Sequence, residues 1–225
     1  MSELLISADG HIDLPCLPAD LFTDHAPAHL RDRVPHVIDR EGDRVWVTGD
    51  GTYLGHVGGV GPHGAPISQH TSPRIERMAE QGLYEDQARG VMRTTIPEMR
   101  AKDMENDGIA GEVIYGILGA ATKLADHEAA NEMFRIYNDW LADFCSHYPE
   151  RHIGLACLPY GDVEAARAEI YRVAGTGLRG LELSCSWDMA PMYDPMWEPL
   201  WRAADERSEE RRVGEECRSR WSPDH

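Results

Sequence analysis

The stretch Leu4-Leu5-Ile6-Ser7-Ala8-Asp9-Gly10-His11-Ile12-Asp13 sets a short apolar run directly against a cluster of oxygen and imidazole donors. The run has the length and composition of a buried strand, so the donors sit where that strand would end. In a β/α barrel the carboxyl ends of the strands carry the chemistry. A histidine with aspartates at alternate positions there can aim two or three donors at one metal ion. The competing reading is a turn rich in Asp and Gly with an incidental histidine, and the rest of the chain decides between them.

Downstream, strands and helices alternate. Pro97 suits the first turn of a helix that passes Met99 and Met104 and stops at Asn106-Asp107-Gly108. Glu112 to Leu118 reads as a strand. Asp126 is a helix cap ahead of Ala130, Met133, Phe134, Tyr137, Leu141 and Phe144, whose three- and four-residue spacing makes one apolar face. His152 to Leu158 reads as the next strand. Asp162 opens a helix carrying Val163, Ala166, Ile170 and Val173 on one side, and Leu178 to Ser184 is a fourth strand. Asp194 to Trp201 opens a last helix, with Trp197, Leu200, Trp201 and Ala204 expected to face inward. Such alternation implies parallel strands joined by right-handed crossovers. No G-x-G-x-x-G or G-x-x-x-x-G-K-[ST] follows the first strand, which removes the usual dinucleotide and P-loop readings.

Between the pentad and this regular part, Leu17 to Asp39 is broken by prolines and is expected as a surface loop with short helical turns. Arg44 to Leu54 reads as a β-hairpin about a Gly-Asp-Gly turn. Gly55 to Pro73 is rich in Gly, Pro and His. So long a loop in a compact domain is usually functional or disordered, and His56, His63 and His70 are placed to reach a substrate.

The 225 residues carry 39 acidic and 22 basic side chains, a formal charge of −17, which disfavours nucleic-acid and anionic-membrane partners. No apolar stretch reaches membrane-span length, and Met1-Ser2-Glu3 lacks a signal-peptide pattern, so a cytoplasmic location is the default expectation. Five scattered cysteines without a CxxC pair read as reduced thiols. No G-x-S-x-G elbow supports a serine hydrolase.

Ile6 to Asp13, Met104-Glu-Asn-Asp-Gly-Ile109, Ile153 to Pro159, Gly177-Leu-Arg-Gly-Leu181 and Tyr193 to Trp201, in this order and spacing, resemble the amidohydrolase-related family of metal-dependent β/α barrels. The resemblance is to the branch that includes aminocarboxymuconate-semialdehyde decarboxylase. It covers residues 4 to about 206 and implies an α/β fold of the TIM type. The expectation is an incomplete (β/α)8 barrel, with about the first four β/α units and a long loop insertion after the first strand. The resemblance also implies one divalent metal, zinc or alternatively manganese, and either hydrolysis or non-oxidative decarboxylation of a small carboxylated or cyclic substrate. Asp9 and His11 match the family's first ligand pair. Asp13 is a weaker ligand candidate, because relatives carry their acidic residue where this chain has Leu14. A histidine after a fifth strand and a catalytic aspartate after an eighth would complete the site. Trp187, just past the fourth strand, is a candidate substrate-binding residue with His63 and His70. Glu182 and Ser184 lie near that strand's end, but one sequence does not phase which of them faces inward. The full-length enzyme could be a homo-oligomer.

After Ala203-Ala-Asp-Glu206 the chain departs from the family pattern. Residues 207–225 carry only Val213, Cys217 and Trp221 as packing candidates, at no strand period. They resemble a read-through tail and read as a non-native or disordered terminus appended to a domain spanning 1–206. On that reading the polypeptide is expected to bind metal poorly and to be inactive. The alternative is a non-catalytic half-barrel used as an oligomerisation module.

Overall fold

A computed structural model describes residues 4–58, 79–184 and 189–209. Its centre is a four-stranded sheet of β1 (Leu5–His11), β5 (Ile109–Tyr115), β6 (His152–Cys157) and β7 (Gly180–Glu182), laid side by side in chain order with every neighbouring pair parallel. The segments between these strands supply α3 (Pro97–Asn106), α4 (Leu118–Ala121), α5 (His127–Ser146) and α6 (Val163–Val173), and α7 (Glu198–Glu209) follows β7. The short helices α1 (Leu21–His25) and α2 (Leu83–Ala88) lie earlier.

The helix boundaries follow local chemistry. Asp126 accepts the Ala129 amide at 3.1 Å and starts α5; Asp162 accepts from Glu164 and Ala165 and starts α6. The carboxyl end of α3 passes into Gly108 at φ 72°, a left-handed residue for which glycine is suited. α5 buries Ala130, Met133, Phe134, Tyr137, Leu141 and Phe144, the stripe read from the sequence, against β6 and the first strand's exit.

Several expectations are corrected. The segment after Leu17 is not all loop. His36–Arg40 forms β2, antiparallel to β3 (Asp43–Val47), which pairs in turn with β4 (Tyr53–His56). The β2–β3 turn is Glu41-Gly42, both at positive φ, the twist-compatible hairpin geometry without the usual Asn or Asp to announce it. This second sheet belongs to the core: Trp46 is fully buried and meets Phe22 edge-on at 5.9 Å. Trp197, just before α7, and Leu200 and Ala203 within it are buried. Trp201 is 42 % exposed, because Ala203 rather than Trp201 lies on the face turned to α6. The helix runs to Glu209, with the Arg207 guanidinium 4.9 Å over the Tyr171 ring. The start of β1 is not buried either: Leu5 and Ile6 are more than half exposed, β5 being the one strand paired with β1 among the described residues.

Candidate active site at the carboxyl ends of the strands

β1 delivers its donors at its last turn of backbone. His11 lies beside Tyr115 in the β1–β5 register, and the two rings stack with centroids 5.6 Å apart. Gly10 between the donors is a close-approach glycine, because a Cβ there would stand 2.8 Å from both Glu112 Oε2 and the Val113 carbonyl. Behind it Arg100 makes a two-pronged pair with buried Glu112 (2.6 and 2.8 Å) and also donates to the His11 carbonyl at 3.3 Å. The strand end is thereby pinned from the helix side.

His11 Nε2 and Asp9 Oδ1 are 3.2 Å apart. Two ligands about 2.1 Å from one tetrahedral ion would stand roughly 3.4 Å apart, so the pair has the spacing of one edge of a coordination polyhedron. Asp13 Oδ1 lies 3.9 Å from the other ring nitrogen, Nδ1. Asp13 therefore stands on the side of the ring away from the Asp9 contact, beyond hydrogen-bond length. The three residues singled out in the sequence thus lie together, with one carboxylate toward each nitrogen of the His11 ring. Among the described residues no set of three or more His, Cys, Asp or Glu side chains converges on a metal position.

The structure also phases the fourth parallel strand. Glu182 pairs in register with Cys157, and its Oε2 accepts the Gly116 amide at 2.8 Å while standing 3.7 Å from Cys157 Sγ. Gly116 must lack a side chain for this approach, since a Cβ would meet Cys157 Sγ and Tyr137 Cε1 at 2.6 Å each. Burial pushes the Glu182 carboxyl up, against the Gly116 amide and the field of His11, which draw it down, while the Asp13 charge adds to the rise. Glu182 thus answers to the same local field as the β1 donors. Burial likewise drives the Cys157 thiol well above its ordinary range, which leaves it a packed hydrophobe rather than a nucleophile.

A family model described as amidohydrolase matches residues 55–208, more than half of the chain. The chain belongs to the amidohydrolase family. Two gamma-resorcylate decarboxylases are similar to it. The protein of Polaromonas sp. is 29 % identical over 109 residues, 47 % of this chain and 33 % of the relative. That of Rhizobium radiobacter is 34 % identical over 77 residues, 34 % of this chain and 24 % of the relative. The matched segments thus span a third or less of those relatives' own length. The crystal structure of an amidohydrolase from Mycobacterium avium subsp. paratuberculosis superposes on 92 % of this chain and 56 % of its own, with a TM-score of 0.67 at 16 % identity. That likeness establishes the amidohydrolase fold, a TIM-like barrel architecture with a parallel sheet.

The family match begins after β1, so the standing of Asp9 and His11 comes from their position and spacing. His63, His70 and Trp187, the substrate-binding candidates, lie outside the described residues, as do the tail residues 210–225. His56 ends β4 and stacks edge-on against Tyr53, which makes it part of the second sheet. Glu182 was within reach of sequence reasoning, but only the Cys157 register gives its facing. No helix among the described residues is long and apolar enough to cross a membrane.

Proposed function

We propose that this chain carries one wall of the active site of a metal-dependent amidohydrolase-type enzyme, a hydrolase or non-oxidative carboxy-lyase acting on a small carboxylated or cyclic substrate. The observation that carries the reading is the 3.2 Å Asp9–His11 edge at the carboxyl end of β1, in a chain of this family. Asp9 and His11 would hold one divalent ion, zinc or manganese. When bound, such an ion acidifies water and anchors substrate oxygens. Asp13 lies on the Nδ1 side of the His11 ring, Tyr115 backs the ring by stacking, and Glu182 presents a carboxyl across the mouth to a hydroxyl or proton of the ligand. The four parallel strands correspond to the first four β/α units of a barrel, residues 207–225 to a segment outside the catalytic fold, and the enzyme to a soluble cytoplasmic one. With no set of three or more candidate ligands converging among the described residues, the 225-residue chain alone is proposed to hold metal weakly and to be catalytically inactive.

Gamma-resorcylate, the substrate in the relatives' names, is a suitable probe. With Mn2+ and the purified chain, its ring protons should relax faster, and the His11→Ala chain should lose the effect. No Mn2+-dependent relaxation with the parent chain would sink the site reading. Turnover at an ordinary enzymatic rate, about 1 per second or more, would sink the inactivity of the isolated chain.

A further inference from the structure

β5 and β6 separate at the end of the sheet that carries the donors. Among the described residues their pairing runs from Glu112 and His152 to Ile114 and Gly154, whereas β6 continues to Cys157 and stays paired with β7 as far as Glu182. The Leu158 amide donates to the Glu182 carbonyl at 2.9 Å, on the β7 side, so the N–H and C=O of the preceding residue, Cys157, turn toward the side that β5 has left. Across the same stretch the Glu182 side chain reaches from β7 to the Gly116 amide, just beyond β5.

Asn138 of α5, fully buried, stands where β5 has departed. Its Oδ1 accepts the Cys157 amide at 2.8 Å and its Nδ2 donates to the Cys157 carbonyl at 3.0 Å, so one carboxamide serves both peptide groups. Nδ2 donates also to Glu169 Oε1 at 2.6 Å, and Arg172 holds both Glu169 oxygens at 2.7 Å. A carboxylate accepts and cannot donate, so Glu169 decides which end of the carboxamide is nitrogen. Two contacts lead on from Cys157 to Glu182: the strand register, and Sγ, which lies 3.7 Å from Oε2.

We propose that Asn138 is a positioning residue of the strand-end site: its carboxamide replaces the departed strand beside Cys157 and thereby fixes the seat of the Glu182 carboxyl at the mouth. This role rests on the reading of that mouth as catalytic. Neither Asp nor Leu would serve in its place. An Asp carboxylate would oppose both the Cys157 carbonyl and Glu169, and Leu would leave the Cys157 N–H and C=O buried without partners.

Nuclear magnetic resonance of the full 225-residue chain reads the seat of Glu182 at the Gly116 amide proton, which donates to its carboxyl. Glu182→Gln sets the reference displacement. Asn138→Leu should move the Gly116 proton in the same direction by about half as much or more, with the far-ultraviolet circular dichroism unchanged. Phe144→Leu, which trims the ring packed on His152 at the other end of β6, should lower the melting temperature as well, yet leave the Gly116 proton in place. If Asn138→Leu does not fold, Glu169→Gln decides, because it keeps the shape of the cluster and removes the accept-only partner of the carboxamide: the Gly116 proton should again move, by less. An unmoved Gly116 proton in a folded Asn138→Leu chain, or failing that in Glu169→Gln, would overturn the positioning role and leave Asn138 a staple of the sheet. So would an equal displacement in Phe144→Leu. Metal binding indifferent to His11→Ala would instead sink the reading of the mouth, with the Gly116 displacement still observed.

Discussion

Glu112 and Arg100 lie behind the strand end and govern how firmly it is held. Burial alone would raise the Glu112 carboxyl, but His152 Nδ1 at 3.0 Å and the two-pronged Arg100 pair outweigh it and hold the group at about 2, against an ordinary 4.5. A carboxyl depressed on folding gives stability that is fully present above its ordinary value and is lost as pH falls from about 4.5 toward 2. Glu112→Gln should therefore flatten the acid limb of the stability curve. Glu112→Ala should cost about 3–5 kcal/mol near pH 7, because Arg100 is left buried and unpaired, as urea unfolding at the two pH values would measure. A wild-type acid limb in Glu112→Gln would contradict this assignment. The placing of Asp9 and His11 at a strand's carboxyl end was legible in the sequence, because the apolar run before them marks the strand. The facing of Glu182 was not, because strand alternation has two phases and only pairing with Cys157 selects one.

The elements were legible where a side chain marks their start. Asp126, Asp162 and Asp194 each accept a backbone amide at the helix entries read from the sequence. Asp126 does more than cap: Arg33 grips both its oxygens at 2.7 and 2.8 Å, tying the loop before β2 to the head of α5. Asp126→Ala should lower stability by about 1–2 kcal/mol, and Asp126→Asn should recover most of the cap, as thermal unfolding would report. Equal melting temperatures for Asp126→Ala and the parent would exclude the capping role. β2 escaped notice because its turn, Glu41-Gly42, carries Glu where Asn or Asp usually precedes the glycine, and because nearby prolines suggested a loop. The β5 strand begins three residues earlier than the apolar run implied. Ile109 and Ala110 are only half-buried at the sheet's amino end, yet their backbones pair with β1 and accept from Arg151.

For the whole molecule, the alternation of strands and helices correctly gave a parallel sheet, since βαβ crossovers leave little other choice. What the alternation did not contain is how the donors divide around His11, which depends on the path of the chain through Gly10 to Asp13. The account stands on Asp9 and His11 as one edge of a single metal position at the carboxyl end of that sheet. Calorimetric titration of the full chain with Zn2+ tests it most directly. One ion per chain is predicted, with affinity reduced at least tenfold by His11→Ala and by Asp9→Ala. Asp13→Ala should weaken binding less, and His147→Ala, whose ring contacts the Asp143 carbonyl at the carboxyl end of α5, should leave it unchanged. Zinc binding that is indifferent to His11→Ala would contradict the account.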